Sequence, residues 1–178
     1  SWMPSMVSIS IVREIGPVIT ALICAGRISS GIGAELGSMR VTEQIDAMEV
    51  SGTNPFKYLV VTRILAATLM IPLLIIFGDA IALLGSALVE YLKGDVSFQL
   101  YFNSAFDALE YSDINPAIIK SFFFGFAIGL VGSYKGYTCT RGTVGVGEAS
   151  NSAVVFTSML LFVIDFIAVF VTDIFTEI

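Results

Sequence analysis

The chain has 178 residues, of which 56% are hydrophobic and only 13% are charged. A soluble domain is about one quarter charged, so this composition indicates a membrane protein. Histidine is absent, which excludes histidine-based catalysis and histidine metal sites; the two cysteines form no zinc or disulfide pattern, and a net charge of −6 argues against nucleic-acid binding.

Four apolar segments predict an all-α, polytopic membrane protein with four transmembrane helices. No segment shows the period-2 alternation of a barrel strand. Charges are few in these segments: the stretch Ile15–Ala34 of the first carries only Arg27, and the other three carry only Asp79, Lys120 and Asp165 respectively. The predicted spans are Val7–Leu36, Ile64–Val89, Ala117–Tyr134 and Ala149–Thr172.

Basic residues predict the orientation, because cytoplasmic loops carry the excess of lysine and arginine. With four spans, one side of the membrane holds six basic residues and the other holds three. We therefore expect the first side to be cytoplasmic and both termini to face outward. The six are Arg27, Arg40, Lys57, Arg63, Lys135 and Arg141, and the three are Arg13, Lys93 and Lys120.

The polar stretch RVTEQIDAMEV, residues 40–50, interrupts the apolar sequence after the first span. Val41, Ile45 and Met48 share one helical face, and Gly52 and Pro55 are typical of a helix end. We expect a short amphipathic helix over residues 39–52. Its acidic character is unusual for a helix lying on anionic lipid, so a connecting helix and a helix docked in a protein groove both remain open.

The outward loop over residues 94–114 contains a second helical stripe. This stripe predicts a helix that lies on the outer leaflet or contacts a protein partner. Its members are Phe98, Phe102, Ala105, Phe106 and Leu109.

Charges within or beside the spans predict a polar cluster near the outward side. Arg13, Glu14, Lys120 and Asp165 are expected at similar depth, from their distances to the span ends at about 1.5 Å per residue. Lys120 snorkelling alone is the alternative. Asp79 is expected apart from them. Buried carboxylates also leave a proton-coupled transporter open, whereas an aspartate protease lacks any second catalytic feature in the sequence.

Two glycine patterns have structural interpretations. GTVGVGEAS, residues 142–150, lacks the G-K-[ST] ending of a phosphate-binding loop, so we expect a cytoplasmic turn with the last helix beginning near Ser150. Small residues repeat every four positions and predict close helix packing, within one chain or between two copies. They are Ser29, Gly33 and Gly37, then Gly125 and Gly129, then Gly132 and Gly136.

Residues 13–63 resemble the signature region of the MlaE/YrbE permeases, the membrane subunits of ABC transporters that work with MCE-domain proteins. The matching elements are REIGP, AGR, AELG, TEQIDAME, the NP turn and the closing arginine. A looser similarity runs to the end through IKSFFFG, YKGY, GVGEAS and IDF. The resemblance implies one permease domain over residues 1–178, preceded in the family by further helices that this chain lacks.

The resemblance also implies a function. The segment 39–52 becomes a coupling helix whose Glu43, Gln44, Asp46 and Met48 contact a cytoplasmic ATPase. That ATPase would bind ATP and Mg²⁺, and this chain would bind no cofactor and be no enzyme by itself. The polar cluster would lie beside a lipid headgroup, in a homodimer of the bacterial inner membrane that exchanges phospholipid with a periplasmic MCE-domain protein. The loop 94–114 would be a contact surface for that protein.

Overall fold

The computed structural model describes residues 3–94, 96–140 and 142–176, and within those ranges all regular structure is helical. Arg141 of the orientation argument and Asp95 of the outward loop lie outside the described residues. The six helices described are α1 Met3–Val41, α2 Gln44–Val50, α3 Phe56–Lys93, α4 Phe98–Ala108, α5 Tyr111–Tyr137 and α6 Thr143–Thr176.

Four of these helices, α1, α3, α5 and α6, are long and apolar enough to cross a membrane, which confirms the predicted number of spans. Each is longer than its apolar segment, because a helix satisfies its backbone hydrogen bonds internally and continues into the polar interface. The last span begins at Thr143, not near Ser150. The predicted glycine-rich turn is therefore wrong: residues from Thr143 onward form the first turns of α6, and Gly145 packs without a Cβ atom against the carbonyl oxygen of Thr140.

Helix α5 occupies the centre of the bundle and packs on α1, α3 and α6. A Cβ atom at Gly125 would lie 2.6 Å from the carbonyl oxygen of Ala67 in α3. One at Gly136 would lie 2.8 Å from the carbonyl oxygen of Gly33 in α1. The repeated small residues of α5 thus allow close packing within one chain. The central apolar core consists of Ala21, Cys24, Ala25, Ile71, Ile75, Phe124, Ala127, Ile128 and Leu161.

Helix α1 contains two π-helical turns, Ile11–Ile15 and Ala25–Ser29. Pro17 follows the first turn and lacks a backbone N–H, so it cannot donate the usual bond to the carbonyl of Arg13. Such turns occur frequently at functional sites, because the extra residue changes which side chains face a neighbour. The first holds Arg13 and Glu14, and the second holds Arg27.

The polar stretch after α1 forms a shorter helix than predicted. Residues 39–41 belong to α1, and Glu43, at φ 58°, lies in the turn that separates it from the seven-residue α2. Burial of Ile45 against Leu36 and Leu59 fixes α2 on the end of the bundle. Gly52, at φ 81°, follows the end of α2.

Helix α4 lies within the predicted 94–114 segment, and the members of its predicted apolar stripe differ in exposure. Phe98 and Phe106 of the predicted stripe are exposed, while Tyr101 and Ala105 are buried. The Tyr101 hydroxyl is hydrogen-bonded to the Ser86 hydroxyl of α3, and the Ser5 hydroxyl of α1 donates to the carbonyl of Ser104. Tyr101, Ala105 and Phe102 thus pack on the bundle, whereas Phe98 and Phe106 remain open to lipid or to a partner.

Candidate functional site

An ion triad with the buried Lys120 at its centre lies at the end of the bundle that contains Arg13. The Lys120 ammonium on α5 donates to Glu14 Oε2 at 2.9 Å and to Asp165 Oδ1 at 3.0 Å. The Lys120 side chain is 4% exposed. The structure thus brings together three of the four side chains predicted to cluster, and Lys120 is not alone.

Arg13, the fourth predicted member, is not part of the triad and forms ion pairs with other carboxylates. Its guanidinium lies 3.2 Å from Asp173 Oδ1 and 3.7 Å from Asp113 Oδ1. Asp113 is also part of the capping box that begins α5. Arg13 and Glu14 are adjacent in the π-turn but point in different directions. Arg13 points toward the start of α5 and the end of α6, and Glu14 points toward Lys120.

A cavity of about 460 Å³ lies between α1, α3, α4 and α5. Asp79 lines it, and its Oδ1 is buried with no hydrogen-bond partner among the described residues. A second cavity, of about 430 Å³, lies between α5 and α6. Lys120 lines this one, together with Ile119, Phe123, Ala168 and Val171. It therefore offers an apolar volume with the polar Lys120 triad at its edge, the combination that a lipid tail and a polar headgroup require.

The second candidate surface is α2 with the turn before it. Glu43 and Gln44 are exposed, whereas Met48 packs partly against the Leu36 cluster of its own chain. Asp46 accepts a hydrogen bond from Arg40 at 2.9 Å. Of the four predicted contact residues, Glu43 and Gln44 are thus open to a partner, Asp46 is half exposed but paired within the chain, and Met48 is partly buried.

Several residues at these sites were not identified from sequence. Val50 at the end of α2 is 91% exposed and offers an apolar contact at the opposite end of the helix from Glu43 and Gln44. Glu35 and Arg63 form an ion pair at 2.8 Å between α1 and α3. The sequence shows the NP turn and the arginine that follows it, Arg63, but it does not show that Glu35 is the partner of Arg63.

Comparison with known proteins identifies relatives along almost the whole chain. The profile described as "Permease MlaE" matches residues 1–171. A probable ABC transporter permease protein of Rickettsia prowazekii is 40% identical over 174 residues, which are 98% of this chain and 66% of the relative. A probable ABC transporter permease protein of Synechocystis is 36% identical over 161 residues, 90% of this chain and 61% of the relative.

A plant protein is also similar. The chloroplastic protein Trigalactosyldiacylglycerol 1 of Arabidopsis thaliana is 39% identical over 155 residues, which are 87% of this chain and 44% of that protein. The chain therefore spans about two thirds of the length of the Rickettsia relative and a smaller part of the other two.

Proposed function

The chain belongs to the MlaE permease family, and on that premise we propose that it is part of the permease subunit of an ATP-driven transporter that moves phospholipids or related lipids. Its cargo would pass between the bacterial inner membrane and a periplasmic MCE-domain protein. One observation carries the lipid assignment: Lys120 is buried between two carboxylates and lines an apolar cavity of about 430 Å³. One relative also has a galactolipid in its name.

Two exposed features of α2 support a separate ATPase as partner. The acidic Glu43 and the polar Gln44 are exposed at the start of α2, and Val50 at its end is 91% exposed. An acidic helix with an apolar contact fits a groove on a protein better than an anionic leaflet. ATP and Mg²⁺ would be bound by that partner, and its movement would reach the spans through Ile45, which is fully buried against Leu36 and Leu59.

Lipid movement would follow from a change in the packing of α5 and α6. The Lys120 cavity lies between these two helices, so a shift of α6 changes its volume. A homodimer would place two such cavities in one assembly driven by two ATPases. The exposed apolar side chains of α6, including Phe162, Phe166 and Phe170, are available to lipid or to a second copy.

The test is reconstitution of the full-length chain with its ATPase in liposomes that contain a fluorescent phospholipid. We expect transfer to an acceptor that carries the MCE-domain protein to require ATP and to stop when hydrolysis is blocked. A proton-coupled secondary transporter is the alternative, since carboxylates lie within the spans. Transfer driven by an imposed pH gradient without ATP, and abolished by a protonophore, would establish that alternative and overturn the proposal.

A further inference from the structure

Arg27 is a charged residue of the spans for which the triad and the coupling surface supply no role. It lies in the second π-turn of α1, Ala25–Ser29, and its side chain is exposed on the bundle surface. Neither a hydrogen bond nor an ion pair joins its guanidinium to any other residue in the described ranges 3–94, 96–140 and 142–176. The first π-turn of the same helix holds Arg13 and Glu14 of the ion pairs described above.

The depth of Arg27 makes an unpaired charge costly. It is 14 residues from Arg13 and eight from Glu35, which places it about 21 Å from one and about 12 Å from the other along α1. An arginine at such depth requires an anion, water or a path to the interface. Helical side chains lean toward the helix amino terminus, so Arg27 leans away from the nearer, Glu35 end, which opposes snorkelling there.

No carboxylate of the residues that the structure describes lies at this level. Ser29, half a turn away, is hydrogen-bonded to Thr157 of α6 at 2.8 Å. Asp165 is eight residues from Thr157, about 12 Å along α6, and already binds Lys120. Glu35 binds Arg63. A second copy related by a two-fold axis along the membrane normal has its residues at the same depths, so it supplies no counter-ion either.

The surface around Arg27 is open. A Cβ atom at Gly26 or at Gly31 would meet no other atom within 4 Å, and Ile23 on the same face is 67% exposed. An apolar tail therefore has a surface to lie on, and a headgroup has room beside the guanidinium. Because arginine recognises phosphate with two parallel hydrogen bonds, the fitting anion is a lipid phosphate.

We infer that Arg27 is a second headgroup-binding position, deeper in the bundle than Lys120, which binds the phosphate of an anionic phospholipid. This inference rests on the proposed function and adds the charge class of the cargo. A net positive site at Arg27 favours a lipid with net negative charge over a zwitterionic one. The Lys120 triad has two carboxylates and one ammonium, so it does not favour an anionic lipid.

The experiment uses the full-length chain with its ATPase in nanodiscs containing equal amounts of phosphatidylglycerol and phosphatidylcholine. Lipid retained on the purified complex is counted by native mass spectrometry for the unaltered chain, R27Q, R27K and K57Q. Lys57 is an exposed cation at the start of α3, so K57Q is the control for loss of one positive charge. We expect phosphatidylglycerol enrichment to fall about tenfold or more in R27Q and to persist in K57Q. R27K should retain only part of the enrichment, because lysine keeps the positive charge but loses the two parallel hydrogen bonds.

Three results would overturn the inference. The first is equal enrichment in R27Q and the unaltered chain. The second is dissociation of R27Q subunits with unchanged lipid per intact complex, which would assign Arg27 to a carboxylate of another protein segment. The third is displacement of phosphatidylglycerol by soluble inorganic phosphate, which would place the site in water. ATP-driven transfer is measured on the same particles: its absence in the unaltered complex contradicts the proposed function alone.

Discussion

At the scale of single residues, the Lys120 triad is the feature whose energetics are most sharply defined. One ammonium binds two carboxylates, and its side chain is 4% exposed. A buried ion pair contributes little net stability relative to an apolar substitute, but removal of one member leaves an uncompensated charge. Lys120 is the member that both carboxylates share, so its loss has the largest effect.

We predict that Lys120→Met destabilises the full-length protein by about 3–5 kcal/mol, because Glu14 and Asp165 lose their common partner in a membrane interior. Thermal unfolding in detergent measures this, with Lys57→Met as the exposed-lysine control. The triple variant Glu14→Gln, Lys120→Met, Asp165→Asn should recover part of the loss. Equal unfolding temperatures for Lys120→Met and Lys57→Met would contradict the triad as described.

Cys139 offers a pH-dependent test in the loop between α5 and α6. Burial and the negative charge of Glu148 raise the pKa of the Cys139 thiol above its ordinary value. A raised pKa means less thiolate at a given pH, so we predict slow alkylation near neutral pH. Glu148→Gln should lower the pKa and shift the rate profile of maleimide labelling to lower pH, measured with Cys24 replaced by alanine. An unchanged profile would show that Glu148 has no influence on the thiol.

At the scale of elements, close approach between helices organises the bundle. Gly125 and Gly129 of α5 contact the backbone of α3, and Gly132 and Gly136 contact that of α1. In lipid there is no hydrophobic force between helices, so such contacts rely on packing between small residues. The position of α5, and with it Lys120, depends on these glycines.

We predict that Gly125→Ala destabilises the protein, because the added Cβ would lie 2.6 Å from the Ala67 carbonyl oxygen and 2.9 Å from the Thr68 Cα. Gly85→Ala is the matched control, since a Cβ there meets nothing within 4 Å and alanine favours a helix by about 1 kcal/mol. Unfolding temperature in detergent distinguishes the two. A loss in Gly85→Ala as large as in Gly125→Ala would contradict the packing argument.

The segment of α2 contains exposed residues that a partner could contact and residues that pack against their own chain. We predict that Glu43→Lys and Val50→Ser weaken ATPase binding about tenfold, since both side chains are exposed. Met48→Ser should instead lower the unfolding temperature, because Met48 packs against its own chain. Co-purification with the ATPase and thermal unfolding separate these effects. Full ATPase retention by both exposed variants would remove α2 from the proposed interface.

At the scale of the whole molecule, the bundle leaves large apolar faces open. Only 11% of the most apolar window of α6 is buried, compared with 44% in α5. A face of this kind contacts lipid or another subunit. The proposed ATP-driven mechanism needs two permease copies, and α6 lines the Lys120 cavity that such a contact would enclose.

We predict that the full-length chain is a homodimer that uses α6. Native mass spectrometry of the detergent-solubilised protein should give two copies, and Phe166→Arg, on a side chain that is 73% exposed, should shift the population to one copy. Leu69→Arg, at a 61% exposed position of α3, is the control. A single copy for the unaltered chain, or equal dissociation by both variants, would contradict this arrangement.

The sequence alone determined the number and type of the spans, because an apolar run long enough to cross lipid has few alternatives to a helix. It also determined that Glu14, Lys120 and Asp165 have similar depth, since rise per residue converts position into distance. Depth in the membrane does not specify which neighbours a side chain contacts, and only the tertiary structure decided this. Arg13 pairs with Asp113 and Asp173, α4 buries Tyr101, and Met48 packs against its own chain. Which side chains meet across a bundle depends on helix rotation and on local π-turns, and these are set by packing against neighbours distant in the chain.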